Sequence, residues 1–137
     1  METALHQRIQ LAGQQLAAVL GAVETERIAG EVEVFRLTVA GREELPIFIT
    51  QADSQLLCIC YVWTERDVQP ARRLELLEAM LDLNVAIPLS SFGRIGDKYL
   101  LYGALACDAG TDDLVQDLLA LSDNAIDALE AMAEYLN

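Results

Sequence analysis

The stretch VAIPLSSFGRIGDKYLLYGALAC, Val85 to Cys107, decides the fold. An apolar run leads into PLSSF, GRIGDK turns the chain, and YLLYGALAC runs back. Gly93, Gly96 and Asp97 are the punctuation of a β-hairpin. Ser90 and Ser91 beside a glycine raise the question of a catalytic serine. A serine nucleophile needs a base and a third group that orients it, and His6 is the sole histidine of the chain. SSFG also lacks the flanking glycines of G-x-S-x-G. The two serines are better read as small polar groups that satisfy backbone atoms where a helix exit becomes a strand. Phe92 then buries its ring between sheet and helix.

Upstream of the hairpin, TERDVQPARR starts a helix, with Thr64 or Asp67 as cap and Pro70 in the first turn. Its expected apolar stripe is Leu74, Leu77 and Leu81, with Met80 beside it and Asn84 as the stop. Before it lies a block of three strands. EVEVFRLTV has mixed faces and reads as an outer strand, with AGREE as the turn after it. LPIFIT follows with Pro46 at its start, then the polar turn QADSQ. LLCICYVW is apolar on both faces, as a buried inner strand is. Loops this short predict an antiparallel meander.

The two ends of the chain are helical. Leu5, Ile9, Ala12, Leu16, Val19, Leu20 and Val23 recur at three- and four-residue steps, with Thr3 as cap and Gly21 weakening the far end. The last helix runs from an N-cap at Thr111, with Asp112 and Asp113 at the positive end of its dipole. Its stripe is Leu114, Leu118, Leu121, Ala125, Leu129, Met132 and Leu136, widened by Val115, Leu119 and Ile126. The acidic residues after Asp108 read as a solvated face. The predicted order is helix, three strands, helix, two strands, helix. That is an α+β domain spanning 1–137, a mostly antiparallel sheet with helices packed on it.

Composition narrows the classes of function. The 137 residues carry a formal charge of −13 and are 53% hydrophobic. The acidity speaks against nucleic acid and anionic membranes, which need a basic footprint. No apolar run is long enough to insert in a bilayer, and the N-terminus has none of the parts of a signal peptide. The expectation is a cytoplasmic protein. Cys58, Cys60 and Cys107 lie in apolar runs and read as small buried hydrophobes. Cys58 and Cys60 share one strand face but lack further ligands for a metal. GRIGDK is no phosphate loop, and no other cofactor fingerprint is present. Catalytic, cofactor and metal sites are accordingly all expected to be absent.

LPIFIT (45–50), IPLSSFG (87–93), YLLYGALA (99–106) and LSDNAIDALE (121–130) resemble the YjfI-like family, domain of unknown function 2170. The resemblance runs over about Leu45 to Leu136. It implies a bacterial cytosolic protein with no established enzyme activity. It also implies genes near those of phage-shock-protein-A-like membrane-stress proteins. At the level of element order, size and acidity the chain is also similar to type III secretion chaperones and YbjN-like proteins. Those are commonly homodimers that hold extended segments of other proteins.

Two functions follow as expectations. The first is a non-enzymatic protein-binding or chaperone-like module, a homodimer linked to stress-response proteins such as a phage-shock-protein-A-like partner. A partner would add to a sheet edge or lie in an apolar groove. Trp63, Ser90, Ser91, Phe92, Tyr99 and Tyr102 are the candidate contact residues. The second is a small-ligand sensor or uncharacterised enzyme, with Ser90, Ser91 and Tyr102 lining a pocket between the sheet and the last helix.

Overall fold

A computed structural model describes residues 2–137. Helix α1 (Ala4–Leu20) comes first, followed by β1 (Val23–Ile28), β2 (Val34–Val39), β3 (Ile47–Ala52) and β4 (Gln55–Thr64). Helix α2 (Arg73–Asn84), the hairpin β5 (Ser91–Ile95) and β6 (Lys98–Ala106), and helix α3 (Thr111–Met132) complete the chain. The strands form one sheet in the order β1-β2-β3-β4-β6-β5, every neighbouring pair antiparallel. The α+β architecture is the expected one.

The sheet has one strand more than the residues suggested. Val23 closes no helical stripe. Gly21 ends α1 at φ +93°, its N–H donating to Ala17 O at 3.0 Å, and Val23 opens β1, opposite Val39. VETERI hides as a strand because Glu24 and Glu26 keep one side polar and wet. A close approach holds β1 under α1. A Cβ on Gly13 would stand 3.0 Å from Thr25 Oγ1. With β1 at the edge, β2 is interior. Phe35, Leu37 and Val39 face the helices, while Val34, Arg36 and Thr38 form the mixed side that suggested an outer strand.

Capping follows the side chains closely. Thr3 Oγ1 accepts from His6 N–H at 3.0 Å and caps α1. Asp67 Oδ2 accepts from the Thr64 N–H and hydroxyl at 2.9 and 3.1 Å, and Pro70 opens the short 3₁₀ turn before α2. Asn84 does more than stop α2, since its Oδ1 accepts from Phe92 N–H at 2.7 Å. At α3 the cap moves one residue. Gly110 is the N-cap and Thr111 the first helical residue. The helix ends at Met132, so Leu136 lies beyond it in a bridge with Val68, its carbonyl held by Gln69 Nε2 at 2.8 Å.

The core is a single layer between sheet and helices. Ile9, Ala12 and Leu16 from α1 and Leu114, Leu118, Leu121 and Ala125 from α3 cover Phe35, Leu37, Ile49, Leu56, Cys58, Cys60 and Leu101. A register shift between Tyr61 and Trp63 turns the end of β4, so that Trp63 joins the core next to Tyr99. Helix α2 corrects the expected stripe. Leu76 and Met80 are its buried residues, while Leu74 and Leu81 are 70% and 69% exposed. The leucines of RLELLEAMLDLN surround the helix, so periodicity could not choose the face.

Candidate functional site

The six expected contact residues do not form one site. Trp63, Phe92 and Tyr99 are core residues. Trp63 stacks on Tyr99 with ring centroids 5.9 Å apart and tilts against Phe92 at 6.1 Å. Ser90 is buried on the helix side, where its Oγ accepts from Asn124 Nδ2 at 3.1 Å; the same amide group donates to Pro88 O at 2.9 Å. The expected role was to satisfy backbone groups; here Asn124 serves the Pro88 carbonyl, and Ser90 pairs with the Asn124 side chain instead. Ser91 and Tyr102 are register partners on the opposite face of the sheet. Ser90, Ser91 and Tyr102 thus line no common pocket.

Tyr102 belongs to a larger feature that the sequence reading did not single out. Strand alternation puts Phe48, Leu57, Ile59, Tyr61, Leu100, Tyr102 and Ile95 on the face away from α1 and α3. Among the described residues no helix lies on this face. Leu57, Ile59, Ile95, Leu100 and Tyr102 line a shallow hollow of about 300 Å³ there. Phe48 meets Tyr61 edge-on at 5.9 Å, and Lys98 Nζ stands 5.4 Å from the Tyr61 centroid. At the β1 end, Arg36 pairs with Glu26. The apolar signal was present in the two-faced apolar run of β4, which requires a cover on both sides of the sheet.

The sheet edges suit a partner strand less well. Edge strand β1 carries Glu24, Glu26 and Arg27, the charges that keep an edge from pairing. On edge strand β5, the Phe92 N–H is already taken by Asn84. A second apolar strip lies elsewhere, on the outer side of α2, where Leu74, Leu81 and Val85 are exposed.

The cavities between sheet and α3 are lined differently from expectation. One of about 610 Å³ is bounded by the turn Gly41–Leu45, Val62, Ile126 and Leu129. Its cation, Arg42, donates to Ser122 Oγ and Asp123 Oδ1, both at 2.8 Å. Another of about 320 Å³ is lined by Leu89, Leu105, Ala106, Ala109, Asp113, Gln116 and Asp117.

Two acids stand out electrostatically. Glu65 accepts from Arg73 at 3.0 Å, Arg94 at 3.2 Å and the Tyr99 hydroxyl at 3.0 Å. Burial pushes its pKa up, but these partners hold it below the ordinary range. The cluster ties the end of β4 to α2, β5 and β6. Asp117 is the opposite case. It was expected on a solvated helix face, yet it is only 4% exposed and its Oδ2 has no hydrogen-bond partner among the described residues. Burial raises its pKa to about 6, against the lowering effect of a hydrogen bond with Cys58. The spacing carried this signal, because 117 falls with 114, 118 and 121 on the apolar side of α3. Cys58 and Cys60 are fully buried; burial pushes both thiols up, Cys60 to about 12, so they are protonated small hydrophobes. Cys107 is half-buried, not a core residue.

No helix among the described residues is long and apolar enough to cross a membrane. No curated protein matches the chain. Among solved structures, YbjN from E. coli is similar over 90% of each chain, with 14% identity and a TM-score of 0.63. An uncharacterized protein from Methanothermobacter thermautotrophicus is similar over 93% of this chain and 99% of its own, again with 14% identity and a TM-score of 0.63. A chain of the ExsC–ExsE complex aligns over 90% of this chain and 92% of its own, with 16% identity and a TM-score of 0.46. The first two likenesses establish the shared fold and leave activity open. The family resemblance read in the later two thirds of the sequence extends to nearly all of it: residues 3–136 match the family described as "Uncharacterized protein conserved in bacteria (DUF2170)", and the chain belongs to that family.

Proposed function

We propose that this protein is a non-enzymatic, cytosolic protein-binding module with a chaperone-like mode of action. The observation that carries the reading is the apolar sheet face that no helix covers among the described residues, where Tyr102 and Ile95 are exposed, Phe48 and Ile59 half-buried and Leu100 buried between its neighbours. A face of this kind gains free energy when apolar surface on a partner covers it. Its occupant in this proposal is an amphipathic segment of a phage-shock-protein-A-like coiled-coil protein, whose apolar side would lie across β4 and β6.

The strip on α2 serves a different contact, with a second copy of the chain. Leu74 and Leu81 are a heptad apart with Leu77 between them, the spacing of a helix–helix seam. A homodimer through this strip leaves the open sheet face of each copy free for a partner segment.

The test uses the purified chain, a purified phage-shock-protein-A-like protein, and Tyr102→Glu and Leu81→Glu variants. Light scattering should give twice the chain mass for wild type and Tyr102→Glu, and the single mass for Leu81→Glu. Hydrogen exchange with the partner present should show protection centred on β4 and β6, lost in Tyr102→Glu. Absence of protection on these strands, or undiminished binding by Tyr102→Glu, rejects the sheet face as the binding surface. A single-chain mass for the wild type rejects the dimer.

A further inference from the structure

Residues 133–137 leave the helix that their sequence suits. Met132 and Leu136 stand at the four-residue step of the α3 stripe, and Ala133, Glu134 and Leu136 are good helix formers. Yet α3 ends at Met132, Ala133–Tyr135 make a 3₁₀ turn, and the chain crosses to the segment between β4 and α2. Contacts distant in sequence hold these residues there.

The edge they meet is set by its own neighbours. Asp67 Oδ2 is fixed by the Thr64 N–H and hydroxyl. Pro70 restricts Gln69 to an extended backbone, and Val68 and Gln69 are both extended. This short edge pairs antiparallel with the chain end. Gln69 N–H donates to Tyr135 O at 2.9 Å, and Asn137 N–H donates to Asp67 O at 2.7 Å. Gln69 Nε2 donates to Glu134 O and Leu136 O, at 3.2 and 2.8 Å. Arg72 Nη1 donates to Glu134 O at 3.1 Å, and its guanidinium lies 4.5 Å from the centre of the Tyr135 ring. Leu136 packs against the core opposite Val68.

All five of these hydrogen bonds engage the main chain of residues 134–137, so they select an extended backbone rather than a sequence. Two more involve exposed side chains: Glu134 Oε2 accepts from Arg72 at 3.3 Å, and Asn137 Nδ2 donates to Arg66 O at 3.1 Å. The half-buried side chains are the ring under Arg72 and the aliphatic group that follows it. An edge held in place by its neighbours loses little freedom on pairing. Release of the chain end is partly offset, because residues 133–137 can continue α3 once free. We propose that the segment from Arg66 to Arg72 is a receptor for an extended segment of another protein, one that carries an aromatic residue followed by an aliphatic one. Residues 134–137 occupy it as an internal ligand, which that segment displaces. The receptor shares no residue with the open sheet face and does not depend on the protein-binding reading.

The probe is the peptide AEYLN, acetylated and amidated, with AESSN as control. Amide NMR of the full chain follows the titration. Saturable shifts at residues 66–72, together with release of 133–137, are the expected result, and AESSN should cause neither. Leu136→Ser weakens the internal ligand and leaves the receptor unaltered, so this variant should bind AEYLN at least about tenfold more tightly than wild type. Tyr135→Ser should do the same. Adding Gln69→Ala to either variant should weaken binding at least about tenfold. Absence of shifts at 66–72 in both variants, equal affinity of variants and wild type, or binding indifferent to Gln69→Ala overturns the receptor. A doubled chain mass that AEYLN converts to the single mass assigns the site to the chain end of a second copy and overturns the foreign partner.

Discussion

The carboxylate of Asp117 rests on Gly103, in a space that exists because residue 103 has no side chain. Cys58, the register partner of Gly103 on β4, brings its thiol to the same carboxylate. Helix α3 therefore lies on the sheet at its first turns through a polar contact inside an apolar layer. Gly103→Ala should destabilise the protein by about 1–3 kcal/mol, because the new methyl group meets the carboxyl group and α3 must shift. Urea unfolding of the two proteins side by side measures this. An unchanged midpoint would mean that Asp117 swings away freely.

The same contact predicts an unusual pH dependence. Asp117 has its pKa raised by burial to about 6, above the ordinary 3.8 that it regains on unfolding. The folded state then binds the proton more tightly than the unfolded state. The Asp117 contribution is thus unfavourable above pH 6, is relieved as pH falls through 6, and levels off below 3.8. At neutral pH, Asp117→Asn should be more stable than wild type, by on the order of 2–3 kcal/mol at most. The gap should close toward pH 4. Parallel unfolding curves across that range decide the matter, and a constant gap would refute the shift.

Helix α2 offers a direct check of which face is buried. Leu76→Ala should cost about 2–5 kcal/mol, since Leu76 is fully enclosed. Leu81→Ala should cost less than about 1 kcal/mol in the single chain, because most of its surface already meets solvent. Thermal unfolding at dilute concentration separates the two. A large loss at Leu81 would place that face against another surface even in the dilute protein.

Tyr99 and Tyr102 lie one helical-looking step apart in sequence and on opposite sides of the sheet. Tyr99→Ala should cost about 3–5 kcal/mol, as it removes a fully buried ring between Trp63 and the Glu65 cluster. Tyr102, 36% exposed, should cost about 1 kcal/mol or less when replaced by Ala. The binding assay should rank the two variants in the reverse order when each is compared at a temperature where both are folded.

Leu89 predicts a gain in stability. Its φ of +63° is easier for glycine than for leucine, and its side chain is largely exposed. Leu89→Gly should raise stability by roughly 1 kcal/mol. A fall in melting temperature instead would show that the side chain contributes more packing than its exposure suggests.

Much of this molecule is legible in local residue patterns. Gly96 and Asp97 set the turn of the β5–β6 hairpin, because turn chemistry acts over a few residues, whereas Gly93, expected as part of the same punctuation, lies inside β5 opposite Leu100, where a Cβ would crowd the Tyr102 ring. Thr3, Pro70 and Asn84 mark helix ends for the same reason. The apolar run of β4 signalled an inner strand, and the stripe of α3 signalled its buried side. Decisions that rest on neighbours distant in sequence were made by the tertiary structure. VETERI became an edge strand because β2 presented a partner and α1 a covering layer with Gly13 at the contact. The leucines of α2 surround the helix, so only its docking place could choose Leu76 and Met80 over Leu74 and Leu81. The spacing puts Asp117 on the apolar side of α3, but only the juxtaposition of α3 with Gly103 and Cys58 makes room there for a carboxylate. The open apolar sheet face is a property of the whole arrangement as well. Strand alternation creates two faces, and α1 and α3 have hydrophobic surface enough to cover one of them.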